Sequence, residues 1–229
     1  MEYNSKDSKI IIKLGLIGII SVLITIISDF ILIGKPSTAY DFLLSGTESM
    51  WDISTARITI GAFIGVVALP FQSLGLVPVY YALKSSGKVL PAIAVISYAH
   101  ALLMGVAFHI SYAFIGYGWK LNHRPDATQI TTDLMQQYNI YWIILMVIMT
   151  VEILLCSVIY SVVVAKGKTS YPRWMAIFNP ALVVAITLPL VFLIPYPIGG
   201  YIAPACLNIS TILFFILTMV LKRKATIEA

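Results

Sequence analysis

The sequence predicts an all-α fold: a polytopic membrane bundle of six transmembrane helices with both termini cytoplasmic. Three observations predict it. Hydrophobic residues make up 59% of the 229-residue chain and charged residues only 11%, more apolar surface than a globule of that size can bury. Six apolar stretches reach the roughly 20 residues that a helix needs to cross about 30 Å of hydrocarbon. Eleven of the fifteen Lys and Arg lie in segments that an even number of crossings places on one side. The spans take up most of the sequence, so it reads as a single integral membrane domain over 1–229.

The first span covers about 10–33, behind Lys6, Lys9 and Lys13. Its apolar run exceeds the roughly 7 to 15 residues of a signal-peptide core and no small-x-small cleavage site follows, so it reads as a retained helix. Residues 34–57 are polar and predict a lid or short surface helices. The second span, about 58–83, carries Pro70 and Pro78 around Gln72 and Ser73 and is expected to kink there. Lys84 and Lys88 lead into the third span, about 89–117, and 118–138 form a second polar connection. The fourth span is about 139–165, followed by Lys166, Lys168 and Arg173. The fifth, about 175–195, opens behind Pro172 and carries Asn179, Pro180 and Pro189; the sixth, about 203–221, ends at Lys222, Arg223 and Lys224. Proline breaks in the second and fifth spans fit an inverted three-plus-three repeat, and more readily the ordinary tolerance of proline in membrane helices. Trp51, Trp119 and Trp142 fall at the outer rim and Trp174 at the inner one, where indoles anchor at headgroups.

The net charge of +5 comes from the basic cytoplasmic flanks, which face anionic lipid. Membrane lipids are therefore the expected partners, together with a small solute or lipid of unknown identity, and no nucleic acid is implied. Cys156 and Cys206 lie inside spans, where a thiol packs as a small hydrophobe.

An ionisable side chain within a span costs about 2.5–3.5 kcal/mol on insertion scales, so it is turned toward the bundle interior or a wet cavity. Asp29, His100, His109 and Glu152 are in that position. From the helical rise, Asp29 lies about 6 Å, His109 about 12 Å and Asn208 about 8 Å inside the outer ends of their spans, a candidate polar pocket. His100 and Glu152 fall at matching depth near the centre and form a candidate buried midplane pair. Gln72 and Asn179 are polar groups at the two kinks. His100 and His109 are nine residues apart, half a turn out of phase and about 13 Å apart along the axis, so no single metal ion or haem takes both. No metal site and no cofactor is predicted. Asn208 opens an N-x-S sequon, but its place inside a span rules out glycosylation. Each group also has a plain structural reading: Asp29 capping a helix end, the others hydrogen-bonding between helices.

The run YPRWMAIFNP, with SDFILIG in the first span and PACLNISTILFF in the last, resembles an uncharacterised group of bacterial multispanning membrane proteins, a domain of unknown function. The resemblance covers nearly the whole chain. It implies a multi-pass protein of the bacterial cytoplasmic membrane and supplies no catalytic residue. Two function classes follow from the residues themselves. A small-solute or proton-coupled transporter or binding protein would use Asp29, His109 and Asn208 on the solute, and Glu152 with His100 on a proton. An intramembrane lipid-modifying enzyme would use Asp29 and His109 as acid and base, but the sequence offers no nucleophile–base–orienter set, which weighs against an enzyme. An accessory or sensor subunit, with polar residues that only pack the bundle, is a third class. The first is the favoured expectation.

Overall fold

The computed structural model describes residues 5–227, with side chains from 7 to 221; those of Lys6, Lys222, Arg223 and Lys224, part of the charge bias, lie outside the described residues. The described chain is helical, without strands: α1 (Ser5–Leu32), α2 (Ala39–Ser45), α3 (Thr55–Gln72), α4 (Leu76–Leu83), α5 (Val89–Asn122), α6 (Gln129–Ala165), α7 (Pro180–Phe192), α8 (Gly199–Ile202) and α9 (Cys206–Ile227). The long helices close a ring in the order α1, α3, α5, α6, α7, α9 and back to α1. Five helical segments are long and apolar enough to cross a membrane: Asp7–Leu32, Thr55–Ser86, Val89–Asn122, Gln129–Ala165 and Gly199–Leu221. Large apolar side chains such as Ile20, Phe63, Ile96 and Val151 are exposed on the outside, as expected of a multi-pass membrane protein.

α1 packs closely on α3 and on the 3-10 turn that follows it. A β-carbon on Gly18 would sit 2.4 Å from the Cα of Gly75, so backbone meets backbone there. Further along, the Ser21 hydroxyl donates to the Ala68 carbonyl at 2.5 Å and the Ser28 hydroxyl to the Gly61 carbonyl at 2.5 Å. Small residues let the helices approach, and the hydroxyls then reach across to carbonyls. Arg57, on the first turn of α3, donates to the carbonyls of Phe30, Ile31 and Gly34, which end α1 without helical partners.

The kink expected in the second span is a 3-10 turn, Ser73–Gly75, between Pro70 and Pro78. Each proline removes an amide donor from the α ladder, and the chain tightens between the two gaps.

The fifth span departs from expectation. Residues Arg173–Ile177 form a 3-10 turn, and α7 begins only at Pro180, so it has 13 residues and a length of about 20 Å. Asn179 precedes proline and is extended (φ −82°, ψ 159°), which excludes it from the helix. It is therefore a cap and not the polar group of a kink: its Oδ1 accepts from the Leu182 amide at 2.9 Å and its Nδ2 donates to Ser161 Oγ at 3.0 Å. Pro180, not Pro172, opens the helix. Asn179→Ala is expected to lower stability by about 1 kcal/mol in detergent thermal unfolding, and Asn179→Ser, which keeps a capping oxygen, by less. Equal losses would show that the cap is not what matters.

The polar connection expected over 118–138 is mostly helix. It shrinks to residues 123–128, because α5 runs on to Asn122 and a Thr128–Thr131 capping box starts α6 at Gln129. Thr132 Oγ1 donates to Asn122 Oδ1 at 2.8 Å and ties the two ends together. In the loop, Arg124 bonds both carboxylate oxygens of Asp126 at 2.8 Å and holds that carboxyl below its usual range.

Candidate functional site

Four helices carry a continuous polar network into the middle of the ring. In α1 the hydrogen-bonding residues Ser21, Thr25, Ser28 and Asp29 recur at helical spacing, which puts them on one inward face. Gln72, the last residue of α3, is turned inward at the 3-10 break and fully buried; its Nε2 donates to Thr25 Oγ1 at 2.8 Å and to Asn208 Oδ1 at 3.2 Å. Asn208, two residues into α9, passes the chain on: its Nδ2 donates to Asp29 Oδ2 at 2.8 Å. The other oxygen, Asp29 Oδ1, faces His109 Nε2 across 3.7 Å, beyond hydrogen-bond length. Asp29 and His109 are 7% and 4% exposed, so no bulk water solvates either one.

The direction of the His109 contact follows from its partner. Ser28 gives its only proton to Gly61, so at 3.1 Å from His109 Nε2 it acts as acceptor, and the ring carries its proton on Nε2. The same nitrogen lies 3.7 Å from Asp29 Oδ1. Gly65 makes the ring's position possible: a β-carbon there would lie 1.6 Å from His109 Cδ2.

Beside this network lies a cavity of about 300 Å³. Asp29, His109 and Asn208 form its polar wall. Tyr98, Phe108, Tyr112 and Trp142 supply an aromatic one, and Leu69, Met146, Met149 and Leu188 much of the apolar remainder. Phe108 stacks on Trp142 with centroids 5.3 Å apart, and Tyr112 meets Trp142 edge-on at 5.9 Å. Trp142 thus lines the interior instead of anchoring at a rim, as the sequence had suggested. A larger groove, about 610 Å³, runs between α1 and α3, but its walls are outward-facing apolar side chains such as Ile20, Ile60 and Phe63, and no ionisable group lines it.

His100 and Glu152 pair as well, His100 Nδ1 to Glu152 Oε1 at 2.5 Å, but not as a buried centre. The His100 side chain is 56% exposed, because residue 100 shares the outward face of α5 with Ile93, Ile96 and Leu103. His109 belongs to the opposite, inward stripe with Tyr98, Leu102 and Gly105. The pair lies on the outer seam of α5 and α6, and neither residue lines the cavity. Asn179 also stands away from the cavity, capping α7. Among the described residues no group of three or more His, Cys, Asp or Glu could hold a metal ion.

A family model described as a family of unknown function, DUF6796, matches residues 3–225. The chain belongs to that family. The resemblance carried by YPRWMAIFNP, SDFILIG and PACLNISTILFF, to a group of unknown function over nearly the whole chain, is the same finding reached from three short motifs. Searches of curated proteins and of solved structures returned no significant match.

Several residues of the site in this DUF6796 member were not singled out from the sequence. Ser28 and Thr25 had a signal: the polar positions of SVLITIISD recur every three or four residues, which marks an inward helix face. Gly65 had a weaker one, the Gly61–Gly65 spacing of close helix packing. The aromatic wall had none, since Tyr, Phe and Trp are equally at home facing lipid.

Proposed function

We propose that this chain is a multi-pass protein of the bacterial cytoplasmic membrane that binds a small solute inside its helical ring and exchanges it against a proton. The observation that carries the reading is the Asp29–His109–Asn208–Gln72 network beside a cavity of about 300 Å³. A purely structural polar contact has no need of the cavity, and a cavity that only fills space has no need of a carboxylate. Asp29 is the proton-carrying group in this reading, and the outward-facing His100–Glu152 pair stands off the solute path. Six crossings with both termini cytoplasmic belong to the same proposal, with α7 as a short fifth crossing; the eleven-to-four distribution of Lys and Arg supports it.

The test is proton movement. Protein reconstituted into liposomes with an internal pH dye should acidify or alkalinise the lumen when solute is added, and Asp29→Asn should reduce the rate by about tenfold or more. Wild-type vesicles that stay tight under every solute tried, or an Asp29→Asn rate equal to wild type, would sink the proposal.

A further inference from the structure

We propose that the cavity takes an amphipathic organic cation, a protonated amine on an aromatic or aliphatic body, with the ammonium group against Asp29 Oδ1. The inference rests on the solute-binding reading and names the chemical class of the solute.

Charge points to a cation. Asp29 is the only carboxylate on the cavity wall among the described residues, and no Lys or Arg lines it. The groups that face Asp29 from each packed element are His109 and Tyr112 from α5, Asn208 and Cys206 from α9, and Ser28 from α1 itself. Arg57, which reaches from α3 to the end of α1, is held by three backbone carbonyls. Among the described residues Asn208 donates to the carboxylate at Oδ2, which leaves Oδ1 without a hydrogen bond, and Asp29 lines the cavity. A carboxylate in apolar surroundings is costly unless it is neutralised, so Oδ1 takes either a proton or a cation.

Shape and lining say which cation. A tightly held metal ion typically draws on three or more His, Cys, Asp or Glu side chains, and no such group occurs among the described residues. An organic cation is matched twice. Phe108, Tyr112 and Trp142 on the wall are aromatic groups of the kind that attracts an ammonium group within about 6 Å of a ring centroid, and the Leu and Met walls accept the organic body. A sugar would leave most of its hydroxyls without partners against those walls, and an anion would meet Asp29.

Isothermal titration of the full chain in detergent micelles tests this with three probes of one shape: phenylbutylamine, phenylbutanol and phenylbutyrate. Each is titrated into wild type, Asp29→Asn and Leu188→Trp, the last of which narrows the apolar wall without touching the polar network. The expected result is amine binding about tenfold or more tighter than alcohol, no measurable butyrate binding, loss of the amine's advantage in Asp29→Asn and weaker binding of both in Leu188→Trp. Alcohol binding as tightly as amine, with both weakened in Leu188→Trp, would overturn the cation assignment and leave the solute site standing. Equal uptake of all three probes by wild type and Leu188→Trp would mean partition into the micelle, and both readings would fall. The amine-to-alcohol comparison is made on wild type, so it holds even if Asp29→Asn does not fold.

Discussion

Replacing Gly65 with Ala is expected to unseat His109. The new β-carbon would stand 1.6 Å from Cδ2 and 1.8 Å from Nε2 of the imidazole, so the ring has to leave its place over α3. Leaving breaks its contact with Ser28 and its approach to Asp29, and pushes the ring toward the cavity and Tyr112, whose centroid lies 6.4 Å from the undisplaced imidazole. Overpacking costs about 1–3 kcal/mol and the lost hydrogen bond about 1 more, so thermal unfolding in detergent should fall by about 2–4 kcal/mol. The cause is separable from a general intolerance of bulk. In a His109→Ala background the same Gly65→Ala change should be nearly neutral, giving a coupling energy of about 2–4 kcal/mol in the double-mutant cycle. Equal losses in both backgrounds would place the clash elsewhere.

Gly18→Val should be more damaging still, because what it meets cannot rotate away. Its β-carbon would approach the Cα of Gly75 at 2.4 Å and the amide nitrogen at 2.5 Å, both backbone atoms of the 3-10 turn. Only a shift of α1 relieves this, and a shift pulls on Ser21–Ala68 and on Gln72–Thr25 at once. A loss of about 3 kcal/mol or more, seen as a lower melting temperature and fewer monodisperse molecules in size exclusion, is expected. Gly105→Ala is the matched control: it also lies on an inward face, but its β-carbon meets nothing nearer than Leu69 Cδ2 at 3.3 Å, so its effect should stay within about 1 kcal/mol. If Gly18→Val melts like wild type, the α1–α3 seam is not the tight contact described.

These two glycines mark the boundary of what the residues disclose by themselves. Composition and apolar run length were enough for a bundle of membrane-length helices, because both are local and additive. Depth along each helix was enough to group Asp29, His109 and Asn208, since rise per residue is fixed. Phase about the helix axis was also available but carries information only once the inward direction is known. His100 shows this: its spacing from Ile93, Ile96 and Leu103 groups the four on one face, and only the position of α6 and α3 says that the face is outward. Gln72 joined the network by a different route, as the 3-10 break after it aims its amide at Thr25 and Asn208. The length of α7 was legible in principle, because an extended residue before Pro180 excludes helix upstream; an apolar count over 175–195 passes over that local veto.

The hydrogen bond between Asp29 and Asn208 joins residues 179 apart in sequence, α1 to α9. At about 5–20 residues per second, ribosomes need roughly 10 to 35 s to make the intervening chain. Throughout that interval Asp29 is already synthesised and its amide partner does not exist. The nascent protein therefore passes through a stage in which α1 holds this acid without its amide partner, and the arrival of α9 ends it. The polar site is thus an assembly of early and late segments, and it cannot close until Asn208 has been made.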